Sequence, residues 1–432
     1  MAQIRHRMGQ MAASGVCGID AQCSAMINLT QGDSATRRAL VVAAVGFLVA
    51  MVDGYDTLML AFIAPLISKE WALGPQTVGA IFASSYAGAA LGATVIGIAA
   101  DRFGRKTMLI VSLALIGVFT MLCARSGTAA QLMVLRAIAG LGLGGALSAT
   151  TAITAAHAPP QQRRAIVTRM FLGFPVGAIV GGAVTAAVMS SLGWRGVFLG
   201  GGICALLLIP LIMLSVGETA SDARKGTRVH SPRPVTDLLS EGRARSTALF
   251  LACVFLMLLT SYFLVNWIPT VLTLNGVEPR QAALAAVVLN CGGIAGTLIL
   301  SFVFGRRSPL APVVACLCAG AILIGLLGYG ITSAGSAKFA LVFAVGMLII
   351  GAQGGIPALC VHLYPPAVYA TAVGLSVACG RLGSIIGPLV GGYLISASLG
   401  WSRLFLIVAL PALLAAIAMA GLAVTHPKRG ET

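Results

Sequence analysis

The sequence predicts an all-α polytopic membrane protein with twelve transmembrane helices in two six-helix pseudo-repeats. Three observations predict it: composition, the spacing of apolar runs, and internal echoes between the two parts of the chain. Of 432 residues, 58% are hydrophobic and 9% charged, against roughly 25% charged in a soluble globular domain. Such a chain cannot hide its apolar surface from water. A bilayer accepts it, provided each span pairs its own backbone polar groups, as an α-helix of about 20 residues does. The 53 glycines suit the close helix approach of membrane bundles.

Apolar runs between polar breaks predict spans at 40–67, 77–100, 107–124, 130–157, 165–190 and 195–216, then at 247–273, 281–304, 310–331, 338–364, 370–397 and 402–424. These imply a disordered cytoplasmic tail over 1–36, a six-helix half over 37–216, a cytoplasmic linker over 217–246, a second half over 247–424 and a cytoplasmic tail over 425–432. The linker is polar and holds Arg224, Lys225, Arg228, Arg233, Arg243 and Arg245, as an inter-domain connection does. Arg5 and Arg7 near the start precede no apolar core of signal-peptide length, so no cleaved leader is expected.

The formal charge of +16 does not indicate nucleic acid, because the basic residues sit in short clusters between apolar runs, as topology determinants do. With both termini in the cytoplasm, 20 of the 28 basic residues fall on the inner side and six on the outer, while Arg136 and Arg381 lie within spans. That bias sets the orientation. Cys123, Cys204, Cys253, Cys291, Cys316, Cys318, Cys360 and Cys379 lie in apolar runs without metal-ligand spacing and read as small packing residues. Cys17 and Cys23 sit in the cytosolic tail, where a disulfide is not expected. No metal or cofactor site is expected, and no nucleophile–base constellation points to an enzyme.

Val180-Gly181-Gly182 followed by Leu192-Gly193-Trp194 is echoed by Val390-Gly391-Gly392 followed by Leu399-Gly400-Trp401. Pro159-Pro160 is echoed by Pro365-Pro366, and Phe103-Gly104-Arg105-Lys106 loosely by Phe304-Gly305-Arg306-Arg307. Offsets near 200 residues imply two parallel halves, an architecture with its substrate site at their interface near mid-membrane.

The first span carries Met51-Val52-Asp53-Gly54-Tyr55-Asp56-Thr57, two carboxylates three residues apart on one helix face. Buried acids in this arrangement suit a proton carrier; the bland alternative puts both in water at a mouth of the bundle. Arg136 in the fourth span costs roughly 2.5–3.5 kcal/mol to insert, so it should face a cavity or a partner, unless it snorkels to the interface. Arg381 in the eleventh span, opposite the first half, is a second intramembrane guanidinium that suits a bidentate grip on an anionic group, and a structural pairing with a carbonyl or an acid fits equally. Among polar mid-span residues, Asn266 and Gln353 suit a ligand hydroxyl. Tyr55, Phe82, Tyr86, Phe174, Trp267 and Tyr329 are aromatic candidates for stacking on a ring, against the usual packing or interfacial role.

Gly97-Ile98-Ala99-Ala100-Asp101-Arg102-Phe103-Gly104-Arg105-Lys106 resembles the major facilitator loop motif G-x-x-x-D-R-x-G-R-K, and Leu132-x-x-x-Arg136-x-x-Ala139-Gly140-x-Gly142 is similar to a second motif of that superfamily. The Asp53-Gly54-Tyr55-Asp56-Thr57 pattern followed by Ile63-Ala64-Pro65 resembles the aromatic acid:proton symporter family within it. Further matches are Tyr262 to Thr270, Gly140 to Gly145, Met170 to Phe174, Gln353 with Tyr364-Pro365, and Gly380-Arg381-Leu382-Gly383. The resemblance covers roughly residues 40–425. It implies proton-driven import of hydroxybenzoate-like aromatic acids across the bacterial inner membrane by a monomer, with the lipid bilayer, protons and a small aromatic acid as its partners. It further implies that Asp53, Asp56 and Arg136 serve proton coupling. Arg381, Asn266, Gln353, Tyr55 and Trp267 are the candidate substrate contacts. Gly97, Asp101, Arg102, Gly104 and Arg105 are the candidate latch between the halves.

There are departures. Ala156-His157 stand where the family often has an acid before an aromatic, and Phe302-Val303 replace Asp-Arg in the second copy of the loop. Gly383-x-x-x-Gly387-Pro388-x-x-Gly391-Gly392 fits an antiporter pattern but lies in span eleven, and reads as a packing face. Rival readings are a proton-coupled exporter of drugs or metabolites, an importer of a non-aromatic acid, and a sensor without transport. The last lacks a soluble output domain.

Overall fold

The computed structural model describes residues 39–159, 162–215, 238, 243–304, 309–330, 337–365 and 368–425. Among them, twelve helices are long and apolar enough to cross a membrane. They are α1 Ala39–Glu70, α2 Pro75–Phe103, α3 Arg105–Cys123, α4 Ala129–His157, α5 Ile166–Met189, α6 Ser191–Ser215, α7 Ala244–Leu274, α8 Pro279–Phe304, α9 Leu310–Gly330, α10 Ala337–Leu363, α11 Thr371–Ser396 and α12 Trp401–Leu422. At about 1.5 Å of rise per residue, even the 19-residue α3 approaches the thickness of a hydrocarbon core. The expected tail over 1–36 lies outside the described residues, as do the tail over 425–432 apart from Thr425, which is still helical, and the linker apart from residues 238 and 243–246.

Local chemistry sets the helix ends. Pro75 opens α2, where its missing N–H costs nothing, and the Thr128 hydroxyl caps α4 by accepting the Gln131 N–H at 3.2 Å. The α2–α3 turn closes on Gly104, whose φ of 93° is open to glycine and strained for other residues. Its N–H donates to the Ala100 carbonyl at 3.1 Å. Within α10, turns at Gly354 and Gly355 separate Gln353 from Ile356.

Among the first six helices, α4 packs on α2 and α3, and α3 on α6; among the last six, α7 packs on α11 and α12, α8 on α10, and α9 on α12. Across the two sets, α2 meets α11 and α5 meets α8. Both crossings close the side opposite the chain termini. There, Gly79 faces the Pro388 carbonyl, Gly392 lies against Pro75 and Gln76, and Gly182 lies against Val287. The Gln76 side-chain amide donates to Ser396 Oγ at 3.0 Å.

Candidate functional site

The twin acids of α1 have different surroundings. Asp56 is enclosed between α1, α2, α3 and α4, where Arg136 Nη2 donates to Oδ2 at 2.8 Å and Nη1 to Oδ1 at 3.2 Å. Thr120 Oγ1 donates to Oδ1 at 2.8 Å, and Nη2 also reaches the Asp56 backbone carbonyl at 3.2 Å. The remaining edge of the guanidinium is used too, since Nε donates to Ser85 Oγ at 2.8 Å. Arg136 is fully buried and Asp56 is 1% exposed. A buried pair holds its place when the geometry is bidentate and further donors find acceptors, and here the fork is bidentate while Nε and the second Nη2 hydrogen are accepted as well.

Two close approaches build the arrangement. A side chain at Gly54 would strike the Phe174 carbonyl of α5, and one at Gly140 would strike the Ser85 carbonyl of α2. The glycine between the acids thus lets α5 lie directly on α1, and Gly140 draws α2 onto α4 one turn from Arg136.

Asp53 instead lines a cavity of about 230 Å³ between the two sets of helices. The lining comes from one face of each helix: Asp53 and Thr57; Ser85, Tyr86 and Ala89; Leu143 and Leu147; Val254, Leu258 and Tyr262; Ser376, Val377 and Arg381; Phe174 and Ile356 complete it. The volume falls below the roughly 300–1,000 Å³ of drug-sized sites and suits a small solute. Among the described residues the ion pairs are Arg136–Asp56 and Arg195–Glu70. Asp53 and Arg381 therefore share the cavity without closing a bridge. One wall is aromatic: the Tyr86 and Tyr262 rings meet edge to face at 4.9 Å. Tyr86 Oη donates to Asn266 Oδ1 at 3.0 Å, and Asn266 Nδ2 donates to the Tyr262 carbonyl at 2.6 Å.

The family model described as the Major Facilitator Superfamily matches residues 46–388 and, in a second overlapping stretch, 355–432. The chain belongs to the major facilitator superfamily. A relative, the 3-(3-hydroxy-phenyl)propionate transporter of Escherichia coli K12, is 34% identical over 367 residues, spanning 85% of this chain and 90% of that protein. The gallate transporter of Pseudomonas putida is 31% identical over 401 residues, spanning 86% and 89%. Among solved structures, a bacterial homologue of the human lysosomal transporter Spinster, inward-facing and occupied, superposes with a TM-score of 0.76 at 15% identity, covering 89% of this chain and 97% of that one. That likeness concerns the fold alone.

In this major facilitator the remaining candidates are placed as follows. Of the five expected substrate contacts, Arg381 lines the cavity. Asn266 is buried behind Tyr86 and Tyr262, and Gln353 is half-buried, its amide donating to the Met257 carbonyl at 3.4 Å. Tyr55 and Trp267 depart from the expectation, because each ring fills a glycine socket in its own set of helices. Tyr55 sits on Gly181 and donates its hydroxyl to the Val197 carbonyl at 2.9 Å; Trp267 sits on Gly391 and donates Nε1–H to the Pro388 carbonyl at 3.0 Å. The echoed Val-Gly-Gly motifs are these sockets, and the second glycine of each, Gly182 or Gly392, touches the other set. Phe82 meets Trp267 edge to face at 5.7 Å, and Tyr329 is exposed on α9, whereas Tyr86 and Phe174 do line the cavity.

In the expected latch, Gly104 makes the α2–α3 turn, and Arg105 Nη1 reaches the Ala152 carbonyl of α4 at 3.5 Å. Gly97 is half-buried, while Asp101 and Arg102 are exposed and make no hydrogen bond or ion pair among the described residues. His157 lies far along α4 with Nδ1 3.0 Å from the Ile153 carbonyl of its own helix. Sequence reasoning missed Ser85, Tyr262, Thr57 and Ser376 as lining residues. The i, i+4 spacing of Tyr262 from Leu258 and of Thr57 from Asp53 was the available signal.

Proposed function

We propose that this protein imports small aromatic carboxylic acids of the hydroxybenzoate kind together with protons, by alternating access across the bacterial inner membrane. The observation that carries it is the cavity, in which a carboxylate without a bridge, Asp53, faces a guanidinium without a bridge, Arg381, beside the rings of Tyr86, Tyr262 and Phe174. The relatives that transport 3-(3-hydroxy-phenyl)propionate and gallate support an aromatic acid as the solute. The 20-to-6 division of basic residues supports cytoplasmic termini. With that orientation, the crossings at Gly79, Gly392 and Gly182 lie on the outer side, which supports reading this as the inward-facing form. The disengaged Asp101 and Arg102 fit an inner latch released in that form. The site is complete within one chain, which suits a monomer.

Charge balance gives the mechanism. Empty, the cavity holds one anion and one cation. A substrate carboxylate entering alone leaves a net negative charge, and a proton entering alone leaves a net positive one. An uncompensated charge in a low-dielectric site is costly. When Asp53 takes a proton and Arg381 takes the carboxylate, the cavity is neutral again. Only the empty and the doubly loaded forms then reorient readily, so the two solutes move together, and the two helix sets rock about the site. Asp56, held by Arg136, Thr120 and the α1 backbone, fixes the position of α1.

Uptake of labelled hydroxybenzoates, cinnamates and non-aromatic acids into cells, with and without an uncoupler, tests this reading. It predicts accumulation of one or more aromatic acids that collapses with the uncoupler. Accumulation indifferent to the uncoupler, or extrusion of the acid by inverted vesicles under an imposed proton gradient, would contradict it.

A further inference from the structure

Ser85 holds a place that no other member of the buried charge cluster shares. Of Asp56, Arg136, Thr120 and Ser85, it alone also lines the central cavity. Its oxygen accepts the Arg136 Nε–H at 2.8 Å, which occupies one lone pair and leaves the hydroxyl hydrogen to be given away. Among the described residues that hydrogen has no acceptor. The adjacent Ser84 shows the usual alternative, donating back to the Ile81 carbonyl at 2.8 Å. Ser85 is 5% exposed and borders the cavity, so an occupant of that cavity is the acceptor open to it. An oxygen that accepts from a guanidinium is also a stronger donor, because bonds in a chain polarise one another.

We propose that Ser85 is a positioning residue for the substrate: it donates its hydroxyl hydrogen to the carboxylate held by Arg381 and links that carboxylate, through one oxygen atom, to the Arg136–Asp56 pair. Arg381 lies on α11 and Ser85 on α2, so a carboxylate bonded to both bridges the two sets of helices. Occupancy is thereby transmitted to the charge pair that anchors α1. This role rests on the symport proposed above.

The test is transport kinetics in proteoliposomes reconstituted with the whole chain, using whichever aromatic acid the wild type carries. A hydrogen bond to a charged group accounts for roughly tenfold or more in affinity. Ser85→Ala and Ser85→Cys, the latter similar in size but a weak donor, are expected to raise KM by about that factor with Vmax per reconstituted molecule largely kept. Ser85→Thr, which restores the hydroxyl, is expected to restore KM. A purely structural serine would lower abundance or thermal stability and leave KM in place. Wild-type KM in either Ser85→Ala or Ser85→Cys overturns the role of Ser85 while leaving the symport reading intact. If Ser85→Ala does not reach the membrane, Ser85→Cys decides alone. A wild-type protein that carries no aromatic acid overturns both.

Discussion

Asp53 and Asp56 lie one helical turn apart on α1, and the environment of each decides what its replacement does. Asp56→Asn leaves the fully buried Arg136 guanidinium without its counter-charge, a defect that costs about 3–5 kcal/mol. The expected result is a clear drop in the thermal midpoint of the purified protein. Adding Arg136→Gln should recover part of that loss, because the orphaned charge is gone. Asp53→Asn, at a cavity wall without a bridge, should leave the midpoint close to wild type. Arg381→Lys keeps the charge but loses the planar fork, and is expected to raise apparent KM for the acid without lowering abundance. Trp267→Phe should do the reverse, lowering stability through the lost Pro388 bond and leaving KM in place. The acids and both arginines were legible in the sequence because charge inside an apolar run is conspicuous. Which acid turns inward was not, since a spacing of three residues separates two side chains by about 60° around a helix. That angle takes one into the cavity and the other between helices.

Among the helices, the echoed Val-Gly-Gly motifs give the two sets matching joints. The first glycine receives an aromatic ring from α1 or α7, and the second meets the opposite set on the closed side. A bulky residue at that second position wedges the crossing apart. Gly392→Trp is expected to open the side opposite the termini, raising the labelling rate of a cysteine placed at Thr57 by a membrane-impermeant thiol reagent from outside and reducing net uptake. Unchanged labelling with normal uptake would show that the α2–α11 crossing is not a gate. The repeat itself was visible in the sequence, as were all twelve spans, because a bilayer imposes a minimum apolar length on every helix. Its purpose was not. A glycine has no side chain to announce its neighbour, so Tyr55 and Trp267 read as candidate ligands when they are fillings of the sockets.

For the whole molecule, the proposed symport rests on electrical neutrality: one fixed anion and one fixed cation line the same small space, and a proton and a carboxylate restore balance only together. The two functions of an importer, exchanging its solute and concentrating it, then separate at Asp53. A neutral side chain there mimics the protonated state permanently, so the loaded carrier still forms and reorients while the proton gradient has nothing to act on. The decisive measurement compares Asp53→Asn with wild type in proteoliposomes loaded with an aromatic acid the wild type carries. One arm follows exchange of labelled for unlabelled acid, and the other follows accumulation driven by an imposed pH gradient. Asp53→Asn is expected to retain exchange and to lose gradient-driven accumulation. Accumulation by Asp53→Asn equal to wild type would contradict the proposed symport.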